Sequence, residues 1–321
     1  MKPRFLFLNT RAANCSIYKS GVQIFQALEG NEHWDLDYVE IPNFDVAALY
    51  QGRVVIDEVE QEPYDAYIFN YHDITMRGTE NILSEHLHRL AGVKYSIILE
   101  MEPGNPYSRL FSDDFDGYLV MDPTYVSNHD RFHAFPRPIP PAEVDAYTES
   151  DIPVIGSFGF ATQDKYFDRI VEAAAKELNQ ARIRINIPKA TYADPQDTMY
   201  EMIRQQCLKH ARPGIEVEFT REFFDDADLI RWCSRNTLNM FMYDRHMPGL
   251  AAVTDQAIAS GRPLLVSRNE TFRHIHQYCR AYPDRSITGA INQHSEAVAK
   301  MQKDWSWASC QQRLREILFE D

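Results

Sequence analysis

Short, continuous apolar runs alternate along this chain with longer stretches in which apolar residues recur at helical spacing. The run Arg4 to Asn9, "RFLFLN", reads as a buried strand, and after a small-residue loop "SIYKSGVQIFQALEG" carries the spacing of an amphipathic helix. The same alternation returns in "DAYIFNYHD" as strand, "TENILSEHLHRLAG" as helix, "VKYSIILEMEPGNP" as strand with a Pro-Gly turn, and "DGYLVMDP" as strand. Around Phe135 to Pro153 the periodicity lapses into "FPRPIPPAEVDAYTESDIP", rich in proline and acid, which marks a linker. Beyond it the alternation restarts with "IPVIGSFGF", "QDKYFDRIVEAAAKELNQ", "ARIRINIP", "DTMYEMIRQQCLKHA", "IEVEF", "DDADLIRWCSR", "TLNMFMY" and "PLLVS". Apolar strands interleaved with helices predict parallel sheets covered on both faces. The fold class expected is therefore α/β, with two Rossmann-like parallel-sheet domains facing a cleft, the default ligand site in such a pair.

Composition narrows what such a protein does. Of its 321 residues 44% are hydrophobic and 25% charged, enough for a substantial core, while a formal net charge of −14 disfavours nucleic acid and anionic lipid as partners. Five cysteines (Cys15, Cys207, Cys233, Cys279, Cys310) lack CxxC spacing, which argues against a structural zinc site or a disulfide framework and fits a reducing, cytoplasmic location. The apolar run in "MKPRFLFLNTRAANCS" is too short for a signal-peptide core, and no stretch is long enough to span a bilayer. His86 and His88, two apart on a predicted helix, point in different directions, and "MFMYDRHM" holds a single carboxylate, so no metal site is expected.

Candidate chemistry concentrates in the second half. The span "HMPGLAAVTDQAIASGRPLLVS" predicts a helix opening at Pro248-Gly249-Leu250 and stopping at a glycine before a buried strand. In an open parallel sheet such a helix start lies at the ligand rim. Gly249 would admit an anion, the amides of Leu250 and Ala251 would face a phosphate, and Asp255 and Gln256 would reach ribose hydroxyls. An ordinary helix start with solvent-facing polar residues fits the same spacing. "GSFGFATQDK" supplies glycines for a turn and Lys165, which is either a solvated surface charge or a diphosphate ligand; Arg245 and His246 add charge at the same expected rim or simply form a polar loop.

The string "DQAIASGRPLLVS" resembles the C-terminal-domain signature of GT-B-fold glycosyltransferases. In chain order, "RPIPP" is similar to that family's interdomain hinge, "VIGSFGF" with Lys165 to its first C-domain strand and phosphate loop, and "DWSWASCQQRLREIL" to its closing helix. The resemblance implies that this last helix crosses back onto the first domain. Gln256 falls where retaining members place a ribose-binding glutamate and Pro248 where they place the first glutamate of the pair, leaving Asp255 next door to bind hydroxyls. Domains expected are 1–140 (acceptor), 141–152 (linker), 153–303 (nucleotide-sugar) and a closing helix at 304–321.

On the first half, His72 and Asp73 after "YIFNY", and Glu100 and Glu102 after "YSII", fall near expected strand carboxyl ends. An inverting sugar transfer needs a base for the acceptor hydroxyl, and Glu102 and His72 are the candidates; each also reads as an ordinary loop polar group. Asn14, Ser16, Tyr18 and Gly21 lie at the first strand-to-helix turn, where Ser16 is also a natural helix cap. Trp305 and Trp307 read as packing residues of the closing helix. The expected activity is metal-independent transfer of a sugar from a nucleotide-sugar to a hydroxyl acceptor, a glycan or glycoconjugate, with no cofactor beyond the donor. Alternatives are a non-catalytic nucleotide-sugar binder and a sugar-nucleotide epimerase on the same fold.

Overall fold

The computed structural model describes residues 2–10, 16–41, 64–71, 87–100, 115–126, 129–144, 147–189, 194–246, 249–292 and 295–319. The chain divides into two compact units, Met1–Pro138 with Trp305–Asp321, and Ile139–Asp304.

Unit 1 is built on a parallel sheet of six strands in the order β2-β1-β3-β4-β5-β6: β1 Arg4–Thr10, β2 Asp35–Ile41, β3 Ala66–Tyr71, β4 Val93–Ile98, β5 Gly117–Val120 and β6 Phe132–Ala134. Central β1 is buried along six consecutive residues, which is why its sequence is a continuous apolar run and not an alternating one. Its successive side chains feed opposite cores: Leu6 and Leu8 join Phe69, Tyr118 and Val120 on one face, while Phe5 and Phe7 join Ile68, Leu119 and helix α1, Ser16–Leu28, on the other.

The closing helix completes that second core. It spans Trp307–Phe319, and its Cys310 and Leu314, both fully buried, pack with Phe5, Ile24 and Leu28. Polar contacts fix its position: Gln311 donates to the Ala27 carbonyl at 2.9 Å and Arg313 to that of Ala134 at 3.2 Å. The last helix thus crosses back to the first unit, as expected. Trp305 is buried and Trp307 packs against the same core, in keeping with their reading as packing residues.

Unit 2 carries a five-stranded parallel sheet in the order β11-β10-β7-β8-β9, from β7 Val154–Phe158, β8 Ala181–Asn186, β9 Ile215–Thr220, β10 Leu238–Phe241 and β11 Leu264–Val266. Near its edge the pattern does alternate. Ala181, Ile183 and Ile185 of β8 enter the core, while Arg182 faces Glu216 of β9 in register and pairs with it at 3.3 Å. Helices α2 Phe167–Glu177 and α3 Thr198–His210 cover this core, with Phe167, Ile170 and Ile203 among the buried residues; α4, Asp226–Ser234, begins with the Asp225 carboxylate capping the Asp228 amide at 2.7 Å. Tyr147, from the acidic stretch expected to be a linker, is held to this unit: its hydroxyl meets Thr237 at 2.8 Å and the Arg262 guanidinium lies 3.5 Å over its ring. Among the described residues no helix is long and apolar enough to cross a membrane.

Candidate functional site

The carboxyl ends of β7 and β10 are tied together in unit 2. After β7 the chain turns through Gly159, whose φ of +142° favours glycine and whose missing side chain leaves room for Lys165: a Cβ there would lie 2.9 Å from the Lys165 ammonium. A short helical turn, Gln163–Lys165, follows, and the Asp164 carbonyl accepts the Asp244 amide at 2.9 Å from the exit of β10. That bond brings Lys165 beside Arg245, whose Nε lies 3.9 Å from the Asp164 carboxylate.

Lys165 is the electrostatic centre of this corner. The residue is half-buried, but its ammonium end is sunk among the Phe160 carbonyl at 2.8 Å, the Phe160 ring at 5.7 Å and the Tyr243 ring at 6.0 Å. Burial pulls its pKa down from 10.5 to about 8, against the pull of Asp164 and with a push from Arg245. Lys165 makes no ion pair among the described residues, and a second cation, Arg245, lies beside it in a partly desolvated corner. Such an arrangement attracts an anion.

Tyr243 belongs to the same corner and escaped the sequence reading. It is 4% exposed, its hydroxyl finds no hydrogen-bond partner among the described residues, and burial, with Asp164 adding to it, raises its pKa far above the usual phenol. The only sequence signal is a tyrosine ending an apolar strand, which core packing explains equally well. A buried, unsatisfied hydroxyl costs stability unless something donates to it or accepts from it.

The segment after Arg245 differs from expectation. The helix opens at Val253, not at Pro248, and spans Val253–Ala259 (α5). Gly249 and Ala251 are instead pinned to Thr271, whose hydroxyl donates to the Gly249 carbonyl at 2.7 Å and whose carbonyl accepts the Ala251 amide at 3.1 Å. The Ala251 amide is therefore committed within the protein, and Leu250 is 7% exposed. Pro248 lies outside the described residues. His246 is exposed beside Arg245. Asp255 is 1% exposed, inside the unit, whereas Gln256 is half-buried. Of the two residues expected to meet ribose, only Gln256 has a surface to offer.

On unit 1, His72, Asp73, Glu102 and Asn14 lie outside the described residues, as does the side chain of Ser16. What the sheet's carboxyl end does present is a buried amide pair. Asn70 of β3 donates to the Asn9 side chain at 2.8 Å and to the Ile17 carbonyl at 2.9 Å, while Asn9 of β1 donates to the Tyr18 carbonyl and the Tyr38 hydroxyl, each at 3.0 Å. Gly21 makes the close approach of α1 possible, since a Cβ there would lie 2.2 Å from Asn9 Oδ1. Tyr18 and Tyr38 both donate to the Glu40 carboxylate, at 2.7 and 3.1 Å. The Asn70 carbonyl oxygen, fully buried, has no partner among the described residues.

Other chemistry is quiet. Cys207, Cys233, Cys279 and Cys310 are free thiols whose pKa values burial raises, Cys207 to about 12, which leaves them poor nucleophiles. Among the described residues no group of three or more His, Cys, Asp or Glu is placed to hold a metal. A groove of about 930 Å³ lined by Cys279, Arg280, Asp284, Arg285 and Lys300 contains none of the candidate catalytic or donor-binding residues.

Two parallel six- and five-stranded α/β units with a C-terminal helix returning to the first define the GT-B fold. Solved structures share it over the whole chain. HepE of Anabaena, in complex with UDP and glucose, superposes with a TM-score of 0.65 at 11% identity over 98% of this chain and 99% of its own. A glycosyltransferase from Rickettsia africae gives 0.63 at 10% identity with full coverage of both chains, and OtsA in its apo form 0.61 at 11%, again over both chains entire. No protein-family model matches the sequence, and no curated protein matches it. At these identities the likeness is one of fold.

Proposed function

We propose that this protein is a glycosyltransferase that moves a sugar from a nucleoside-diphosphate donor to a hydroxyl acceptor, with the diphosphate held in unit 2 by Lys165 and Arg245. One observation carries the reading: a partly desolvated lysine ammonium without an ion-pair partner among the described residues, beside an arginine, at the carboxyl end of a parallel sheet. That is where such sheets place ligands. The UDP held by HepE, which shares the fold, supports UDP as the donor's nucleotide.

In this scheme the two cations neutralise charge as the bond between the anomeric carbon and the diphosphate oxygen breaks. They fill the role a divalent ion plays elsewhere, so transfer is expected to be metal-independent and to survive chelation. Tyr243 supplies a hydroxyl to the same anion, and Gln256 a ribose contact. Unit 1 receives the acceptor, and Glu102 or His72 takes the acceptor hydroxyl's proton as its oxygen attacks the anomeric carbon. The four described cysteines are unpaired, which suits a reducing compartment such as the cytoplasm.

A second reading, a non-catalytic nucleotide-sugar binder, is favoured by one feature: Asp255, the carboxylate next to Gln256, is buried and does not replace at the surface the glutamate missing there. Incubation with a panel of nucleotide-sugars and hydroxyl acceptors separates the readings. Release of nucleoside diphosphate with sugar transfer is the expected result. Thermal stabilisation without turnover establishes the binder, and interconversion of donors without acceptor establishes an epimerase.

A further inference from the structure

We propose that the groove beside edge strand β11 in unit 2 binds a small phosphate monoester, held by Arg280 and Lys300 and separate from the Lys165 corner. The groove measures about 930 Å³, within the range of small-molecule sites. The Tyr282 amide donates to the Val266 carbonyl at 2.8 Å, which ties the segment carrying Arg280, Asp284 and Arg285 to the end of β11. The helix Ser295–Asp304 supplies Glu296 and Lys300 to the same groove. Lys165 stands instead where β7 and β10 end, so this inference is independent of the diphosphate assignment.

The acids that would ordinarily quench these cations are engaged elsewhere or stand apart. Lys300 lies one helical turn from both Glu296 and Asp304, the spacing at which charges pair along a helix, yet it forms no ion pair among the described residues. Asp304 instead accepts the Tyr278 hydroxyl at 2.9 Å, and the Lys300 ammonium lies 5.5 Å from the centre of the Tyr278 ring. Asp284, next to Arg285 in sequence, pairs with Arg268. Arg280 is exposed and makes no hydrogen bond or ion pair among the described residues, while Arg285 donates to the Ala290 carbonyl at 3.4 Å and to the Cys279 thiol. With Asp284 neutralised by Arg268, the cations Arg280, Arg285 and Lys300 face the single carboxylate of Glu296 among the described lining residues, an excess of two positive charges. A phosphate monoester, with close to two negative charges at neutral pH, complements that excess, whereas a carboxylate brings one. In a chain of net charge −14, with Glu296 at the same groove, an extended anionic surface such as a membrane or nucleic acid is repelled where a compact anion is admitted.

Calorimetric titration of the full chain with glycerol 3-phosphate, glycerol, glycerate and UDP tests this. Glycerol 3-phosphate should bind wild type and Lys165→Ala equally, glycerol should not bind, and glycerate should bind more weakly than the phosphate. Arg280→Gln combined with Lys300→Gln, both exposed positions, should weaken glycerol 3-phosphate at least about 10-fold and leave UDP affinity unchanged. Absence of glycerol 3-phosphate binding, binding that survives the paired substitution, or glycerate binding as tightly as the phosphate overturns the site. Binding that is lost in Lys165→Ala and kept in the paired variant also overturns it, while leaving the diphosphate assignment standing. Failure of UDP alone to bind removes the diphosphate assignment and leaves the groove upheld.

Discussion

At the carboxyl ends of β1 and β3 in unit 1, Asn9 and Asn70 join their amides beneath α1; at the ends of β7 and β10 in unit 2, Lys165 and Arg245 place positive charge beside aromatic rings. The sheets are alike in direction and covering, but their rims differ in kind. One presents a buried amide pair and a carboxylate, Glu40, held by two phenols; the other presents Lys165 and Arg245 with a buried phenol whose hydroxyl has no partner among the described residues. The contrast teaches that the sheet fixes where chemistry can occur and the strand-end residues fix what it is. The proposed function assigns the hydroxyl acceptor to the first rim and the anionic donor to the second.

The largest effect expected from disturbing the contrast is structural and confined to unit 1. Gly21→Val would place a side chain where Asn9 and Asn70 meet, and should destabilise the protein by about 3 kcal/mol in chemical denaturation, through overpacking and a broken buried amide pair. Leu314→Ala, in the closing helix, should cost about 3 kcal/mol by leaving a cavity, with nucleotide binding by the folded protein unchanged. On the other rim, Lys165→Ala should weaken UDP binding by about 2 kcal/mol, roughly 30-fold, in titration calorimetry.

The same lysine predicts opposite pH responses. Its folded pKa of about 8 lies below the ordinary 10.5, so between those values the unfolded chain binds the additional proton and the contribution of Lys165 to stability rises with pH. UDP affinity, which needs the ammonium, falls over the same interval. Lys165→Met should flatten both trends. The smallest effect belongs to Tyr243→Phe: removing the unsatisfied hydroxyl should raise ligand-free stability by about 1 kcal/mol while reducing UDP affinity a few-fold, since the hydroxyl gains a partner only when the anion arrives.

Local pattern accounts for most of the architecture. "RFLFLN" becomes β1 and "ARIRINIP" becomes β8, because each carries its periodicity within itself, whereas the crossing of the closing helix is implied by the resemblance of "DWSWASCQQRLREIL" to the GT-B family's last helix. The start of α5 does not follow from pattern. Pro248-Gly249-Leu250 looks like a helix opening, but Thr271, distant in sequence, captures Gly249 and Ala251 and delays the helix to Val253. Lys165 and Arg245 were visible as charges near a rim, yet their proximity depends on the Asp244–Asp164 backbone bond between two loops. Tyr243, Asn9 and Asn70 gave no local sign, since an unsatisfied hydroxyl and a buried amide pair are properties of the packed state. The expected bases His72 and Glu102 lie outside the described residues.

The central claim is that unit 2 captures a nucleoside diphosphate at Lys165 and Arg245. A crystal structure of the protein soaked with UDP tests it most directly. The account predicts the diphosphate within about 4 Å of the Lys165 ammonium and the Arg245 guanidinium. UDP bound elsewhere, such as in the groove lined by Arg280, Arg285 and Lys300, with the Lys165 corner empty, would contradict it.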